Sequence, residues 1–300
     1  MSFYSAYGCV LKSALPLPEL LVGQGKADIF IEIDHRECIA SHEPSPILCA
    51  SASLNRVHLT WGAVGDLLIE EGHQIIVLPH PDADEDALRL FVLGAGMGVL
   101  FHQRGLLVFH ASGVVIHDRI VGFIGAKGWG KSTTAAALHQ RGHALISDEL
   151  LVVRFDDRDQ PLVMPGSPQM RLWSDALVST GGDPDTALRV RSGVDKFNVN
   201  AANIAVEALP FHSLYLLDAG EEFAIQSLTT SEAFFGVVPH LYGCRFGIQF
   251  LNSTDVSRTF QNLSLLLKKI TVKRLSRPWS LNQLPAISQR IEQDILHELQ

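Results

Sequence analysis

The chain has 300 residues, 47% of them hydrophobic and 19% charged, with a net charge of −8. That is enough apolar material for one large or two ordinary domains, and it excludes a disordered or low-complexity chain. The acidic balance, with no basic run beyond Lys268-Lys269 or Lys273-Arg274, argues against nucleic acid as the main partner. No repeat at solenoid periods is evident. The longest apolar run, Leu90 to Phe101, is twelve residues; it is too short to span a bilayer and reads as a buried helix, so no membrane partner is expected. The opening residues Met1 to Ser5 carry no positive segment, so a secretory signal is not expected and the reading is cytoplasmic. Cys9, Cys38, Cys49 and Cys244 form no CxxC pair and read as thiols in a reducing compartment.

In chain order, the first third reads as mostly strand. Ala27 to Ile33 is rich in β-branched and aromatic residues, and Val57 to Trp61 alternates cleanly. Gly65 to Ile69 and Gln74 to Leu78, joined by Glu70-Glu71-Gly72-His73, read as a hairpin. An acidic start over Asp82 to Asp86 predicts a helix from about Asp84 to Gln103. Leu106 to His110 is a short strand, and Val114 to Ile116 with Ile120 to Ile124 form a second hairpin around His117-Asp118-Arg119. A glycine-rich loop leads into a helix over Lys131 to Arg141, with Gly142 placed to close it. The run Ala144 to Val153 reads as the next strand, which makes a strand–loop–helix–strand unit. Asp156 to Asp159 is a polar turn, Gly181 to Asp185 a loop, and the polar region up to Asn203 is expected to be mobile. Ser213 to Leu217 and Ala224 to Leu228 are later strands, and Leu284 to Leu299 is the last helix. A boundary near Gly105 divides the chain into a β-rich N-terminal domain, 1–104, and a second domain, 105–300.

The second domain holds the chemistry. Gly125-Ala126-Lys127-Gly128-Trp129-Gly130-Lys131-Ser132 matches G-x-x-x-x-G-K-[ST] at every fixed position, followed by Thr133. Average residue usage gives roughly 0.01 chance matches in a chain of this length. The match also falls where it must, between an apolar strand and a helix. Glycines let successive backbone N–H groups face an anion, and the helix N-terminus adds partial positive charge. Lys131 reaches the β- and γ-phosphates, and the Ser132 hydroxyl is a hard oxygen ligand for Mg²⁺. Sixteen residues after Ser132, Asp148 and Glu149 end an apolar strand. A parallel neighbour strand would bring them beside the phosphates, one to hold Mg²⁺ and the other to take a proton from an attacking hydroxyl.

Two other features read as structure. His110 ends an apolar strand and, taken alone, is a core residue. Gly94-Ala95-Gly96-Met97-Gly98 lies inside an apolar helical run and reads as close helix packing, not as a dinucleotide turn.

Together, Leu107 to Gly113 with His110, the Gly125 to Ser132 loop, Arg141-Gly142-His143 and Leu145 to Glu149 resemble the catalytic domain of HPr kinase/phosphorylase. Thr133 stands where that family usually has glutamate, Glu149 replaces the second aspartate, and the "R-G-L-G-I" signature is missing. The chain is more similar to the family's divergent serine-kinase branch, which includes lasso-peptide kinases. Tyr4 to Gly8, Leu15 to Leu20, His102 to Ser112, Pro168 to Trp173 and Lys196 carry that likeness.

The resemblance implies an α/β fold with a P-loop kinase core of the HPr kinase/phosphoenolpyruvate carboxykinase type. It implies ATP and Mg²⁺ as cofactors and a serine hydroxyl of a peptide or protein as acceptor, in the lasso case on the precursor's C-terminal tail. Asp148 is then the expected general base, with His110 orienting it, Lys131 neutralising charge, and Ser132, Asp148 and Glu149 as metal residues. Arg171 and Lys196 are candidates for phosphate or substrate contact, and the N-terminal domain for peptide binding by strand addition. A small-molecule kinase and a nucleotide-binding regulator without transfer stand as alternatives, and homo-oligomerisation is open.

Overall fold

The computed structural model describes residues 1–252 and 255–298; Leu299, the expected end of the last helix, lies outside them. The fold is mixed α/β with three sheets. Two units are distinguished, Met1–Val108 with Val190–Val194 and Leu241–Asn262, and Phe109–Arg189 with Asp195–His240 and Leu263–Gln300.

The first unit contains an eight-stranded sheet of β1 (Ser2–Ala6), β2 (Cys9–Ser13), β3 (Leu21–Val22), β4 (Ile29–Ile33), β5 (Ile47–Ala52), β6 (Arg56–Trp61), β7 (Gly65–Glu70) and β8 (Gln74–Pro79). Their order is β3-β1-β2-β4-β8-β7-β6-β5. Alternation explains β6: Val57 and Leu59 are buried while Arg56, His58 and Thr60 are not. The expected β7–β8 hairpin is present, and its turn takes Glu71 and Gly72 through φ +53° and +68°. The expected helix forms as α1 (Glu85–Phe91) and α2 (Met97–Gln103) around a π-helical turn, Val92–Gly96. Asp84 caps it by accepting from the Asp86 N–H. Its glycines serve packing: a Cβ on Gly98 would lie 2.4 Å from the Tyr242 ring, and one on Gly96 3.1 Å from Leu67.

The second unit, which begins at Phe109 within β9 (Leu107–His110), is built on β10 (Ser112–Ile116), β11 (Arg119–Ile124), β12 (Leu145–Ser147), β13 (Leu150–Phe155), β14 (Pro161–Val163), β18 (Leu209–Ala219), β19 (Ala224–Ser227) and β20 (Thr271–Arg277). The main order is β12-β10-β11-β18-β14-β13-β9, with β20 paired to both β18 and β19. β11, β18 and β20 run parallel, Ile124 opposite Leu216 and Ala219 opposite Arg277. The β10–β11 hairpin turns through His117 and Asp118 at φ +50° and +57°. Helix α3 (Lys131–Gln140) follows the loop. It packs on one side against β10, β11 and the C-terminal helix Leu284–Glu298, through Ala135, Leu138, Val121, Phe123, Ile287 and Ile291. On the other side Ala136 meets Leu145, Met170, Leu172 and Phe197. The bidentate pair Arg141–Glu292, with both N–O distances 2.7 Å, fastens the end of α3 to the C-terminal helix.

The structure departs from two expectations. The run Ala144 to Val153 is not one strand and not the neighbour of the loop strand. It is β12 and β13, separated at Asp148-Glu149, and β10 lies between β12 and β11, antiparallel to both. Gly113 is the register partner of both Gly122 and Ser147. Two antiparallel steps leave β12 and β11 running the same way, so their carboxyl ends still share one sheet edge. The polar region expected to be mobile instead contains β16 (Leu188–Arg189) and β17 (Lys196–Asn200), which join β15 (Gln169–Trp173) in a three-stranded sheet after helix α4 (Ser174–Ser179). Phe197, fully buried, anchors it.

Candidate active site

Every candidate site residue singled out from the sequence lies in the second unit. The loop Gly125 to Gly130 leaves the carboxyl end of β11 and enters α3. Gly130 takes φ +77°, which favours glycine, and the Arg277 guanidinium lies over it, 2.4 Å from where a Cβ would sit. Gly128, at φ +86°, faces open space, and Ala126 and Lys127 are exposed beside it. Lys131 is buried and folds back over the loop, donating to the carbonyls of Gly125 at 2.9 Å and Ala126 at 3.2 Å. Ser132 is half-buried in the first turn of α3, beside buried Thr133.

Asp148 is the hub. It is buried, and three donors converge on its carboxylate. The Ser132 and Ser112 hydroxyls both donate to Oδ1, the former at 2.9 Å, and the Arg171 backbone N–H donates to Oδ2 at 2.9 Å. Its neighbour Glu149 has φ +79° and faces different company. Lys196 Nζ lies 3.4 Å from its carboxylate, His110 Nδ1 3.8 Å and the Arg171 guanidinium 3.9 Å. The His110 ring is also 3.2 Å from the Glu149 carbonyl oxygen. His110, the residue expected to orient Asp148, thus has its Nδ1 within reach of both the carbonyl and the carboxylate of Glu149.

Sequence reasoning assigned no role to four residues at this edge. Ser112, inside the "H-A-S" stretch, is one of the hydroxyls on Asp148. The His240 imidazole is held below the ordinary histidine range, by burial first and then by the Lys131 ammonium. Arg277 ends β20 and is buried, with its guanidinium donating to the Trp129 carbonyl at 3.2 Å; burial depresses its pKa. Trp279 follows two residues later and is exposed. Ser112 stands in a stretch the sequence singles out, but no motif in the sequence joins His240, Arg277 or Trp279 to the loop.

The donor set suits a hard cation shared with a polyphosphate. Among the described residues no group of three or more His, Cys, Asp and Glu side chains could hold a metal ion alone. Hydroxyl and carboxylate oxygens, completed by phosphate oxygens and water, are what Mg²⁺ takes in nucleotide sites. Loop backbone, lysine and helix N-terminus match the polyphosphate.

No family model matches the sequence, and no curated protein matches it. Among solved structures, the chain is similar to the Hpr(Ser) kinase/phosphatase from Coxiella burnetii, at 15% identity and a TM-score of 0.35, over 64% of this chain and 99% of that one. Among the described residues, no helix is long and apolar enough to cross a membrane. None of the four cysteines is joined in a disulfide.

Proposed function

We propose that this chain is an ATP- and Mg²⁺-dependent kinase that phosphorylates a serine hydroxyl of a peptide or protein. The observation that carries the reading is the 2.9 Å hydrogen bond from Ser132, the serine of the phosphate loop, to buried Asp148. That pairing of loop hydroxyl and strand-end carboxylate is what a P-loop enzyme needs to hold Mg²⁺ on a nucleotide. Bound Mg²⁺-ATP would supply the phosphoryl group.

The chain's own residues divide the remaining work. Ser132 and Asp148 present oxygens to the metal. Lys131 turns from the loop carbonyls to phosphate oxygens and offsets the charge that develops on transfer. Glu149 accepts the proton of the acceptor hydroxyl as its oxygen bonds to phosphorus and the nucleoside diphosphate leaves. This exchanges the roles expected from sequence. Asp148 has both oxygens engaged by three donors, whereas Glu149 is bordered by cations and its side chain keeps 22% exposure through which an acceptor can approach. His110, Arg171 and Lys196 position Glu149, and the two cations also suit the incoming phosphate.

Peptide acceptance, and with it a lasso-type precursor tail, follows from the serine-kinase resemblance over His102 to Ser112 and Pro168 to Trp173. A cytoplasmic setting and peptide binding by the 1–104 domain are part of the same proposal. The test is transfer of labelled γ-phosphate to serine peptides and to a metabolite extract, with phosphoserine located by mass spectrometry. Label on metabolites alone would overturn the peptide assignment. ATP binding without transfer to either would overturn the kinase assignment.

A further inference from the structure

The carboxyl edge of β11, β18 and β20 holds more than the phosphate loop. Trp129 sits within the loop, and Trp279 follows the carboxyl end of β20, which runs parallel to β11 with β18 between them. Ligands of parallel sheets bind at this edge. The two indoles meet edge to face, centroids 6.2 Å apart and planes at 81°. The Arg277 guanidinium lies 5.9 Å from the Trp279 ring centroid while donating to the Trp129 carbonyl. Trp279 is nevertheless 64% exposed. A large apolar ring fixed by two neighbours and open to water beside a polyphosphate loop is a surface prepared for a flat partner.

We propose that Trp279 is the stacking platform for the nucleobase, with Trp129 and Arg277 as the positioning residues that fix its indole beside the phosphate loop. The inference deepens the nucleotide reading and rests on it. Arg277 serves both parts of the site. Its guanidinium holds the loop at Trp129, and Gly130 is bare so that it can pass. Stacking uses the π-face that every base has, so the platform tolerates either purine, and the phosphates supply the rest of the affinity.

The test measures equilibrium binding of ATP, GTP and inorganic tripolyphosphate, each with Mg²⁺, to the full chain by calorimetry, with tryptophan fluorescence as a second readout. Base–aromatic stacking contributes enough that Trp279→Ala should weaken ATP and GTP alike by about tenfold, within a range of roughly 5- to 100-fold. Tripolyphosphate, which has no base, should bind within twofold of wild type. Trp279→Phe should recover most of the loss, and the fluorescence change on adding ATP should shrink in both variants. Unchanged ATP affinity in Trp279→Ala, or an equal loss for tripolyphosphate, would overturn the platform and leave the loop reading standing. A wild-type chain that binds neither ATP nor tripolyphosphate would overturn both.

Discussion

Replacing each of the adjacent acids by its amide separates their roles, because the two changes should rank oppositely on stability and on chemistry. In Asp148→Asn, one of two accepting oxygens becomes an NH₂ group that can only donate. Three donors now share one oxygen, and the Arg171 N–H, fixed in β15, cannot turn away as hydroxyls can. A buried donor left without its acceptor costs about 1–3 kcal/mol. In Glu149→Gln, the ion pairs that disappear span 3.4 to 3.9 Å and are partly solvated. Such pairs contribute about 0–1 kcal/mol each. Asp148→Asn should therefore be the less stable variant.

Activity should reverse the order. Loss of a proton acceptor costs roughly 10²–10⁴-fold in the chemical step, equivalent to about 3–5 kcal/mol of barrier. Glu149→Gln should show that loss at saturating Mg²⁺, with ATP affinity retained. Asp148→Asn should instead raise the Mg²⁺ needed for half-maximal rate and recover much of its single-turnover rate as Mg²⁺ is added. The assay is single-turnover phosphotransfer to a serine peptide across Mg²⁺ concentrations, with thermal melting alongside. A Glu149→Gln rate within threefold of wild type beside an inactive Asp148→Asn would return proton abstraction to Asp148. Two fast variants would show the pair to be structural.

Other substitutions and conditions test the surrounding residues. Lys131→Ala should cost at least about 10²-fold in transfer while the protein stays folded, because phosphoryl transfer relies on such electrostatic interactions; wild-type activity in a folded variant would sink the kinase reading. Mg²⁺-ATP should raise the melting temperature by mass action, and no shift at millimolar ATP or GTP with Mg²⁺ would count against a working loop. The His102 imidazole is held below the ordinary histidine range by burial, although Asp255 pulls the other way. Between that depressed value and about 6.5 the unfolded chain binds more protons, so stability should fall as pH drops through this window. His212 and His240 shift in the same direction. The urea midpoint should be lower at pH 5.5 than at pH 7.5, and His102→Gln should flatten the difference; an unchanged slope would refute the assignment.

Local signals were legible where one element carries them. The loop's glycines and the hairpins at Glu71-Gly72 and His117-Asp118 depend on neighbours close in sequence or on backbone requirements of the residue itself, and the glycines of the apolar helical run announce close packing without naming its partners, Leu67 and Tyr242. What the sequence hid was set by pairing between distant segments. β10 lies between β12 and β11, with Gly113 and Val114 paired on both sides, and no periodicity in the sequence encodes that order. β17 looks polar and loop-like because only Phe197 is fully buried on it. Arg277 and Trp279 reach the loop only because β20 joins β18 in parallel, a pairing between strands more than fifty residues apart.

The break at Asp148-Glu149 explains how two consecutive residues can serve one edge. In a continuous strand successive side chains point to opposite faces, which would send one of the acids away from the other's neighbours. Here the chain leaves β12, carries Glu149 through φ +79°, and re-enters as β13. For a residue with a Cβ that conformation costs on the order of 1–3 kcal/mol, so the surroundings must hold it. They do so from both sides: the Ala111 N–H donates to the Glu149 carbonyl at 3.3 Å, and the Ser147 hydroxyl donates to the Leu150 carbonyl at 2.6 Å. The result is one carboxylate on the loop serine and the next among His110, Arg171 and Lys196. A regular strand would send these two carboxylates to opposite faces, so it could not set one on the loop serine and the next among these cations at the same sheet edge.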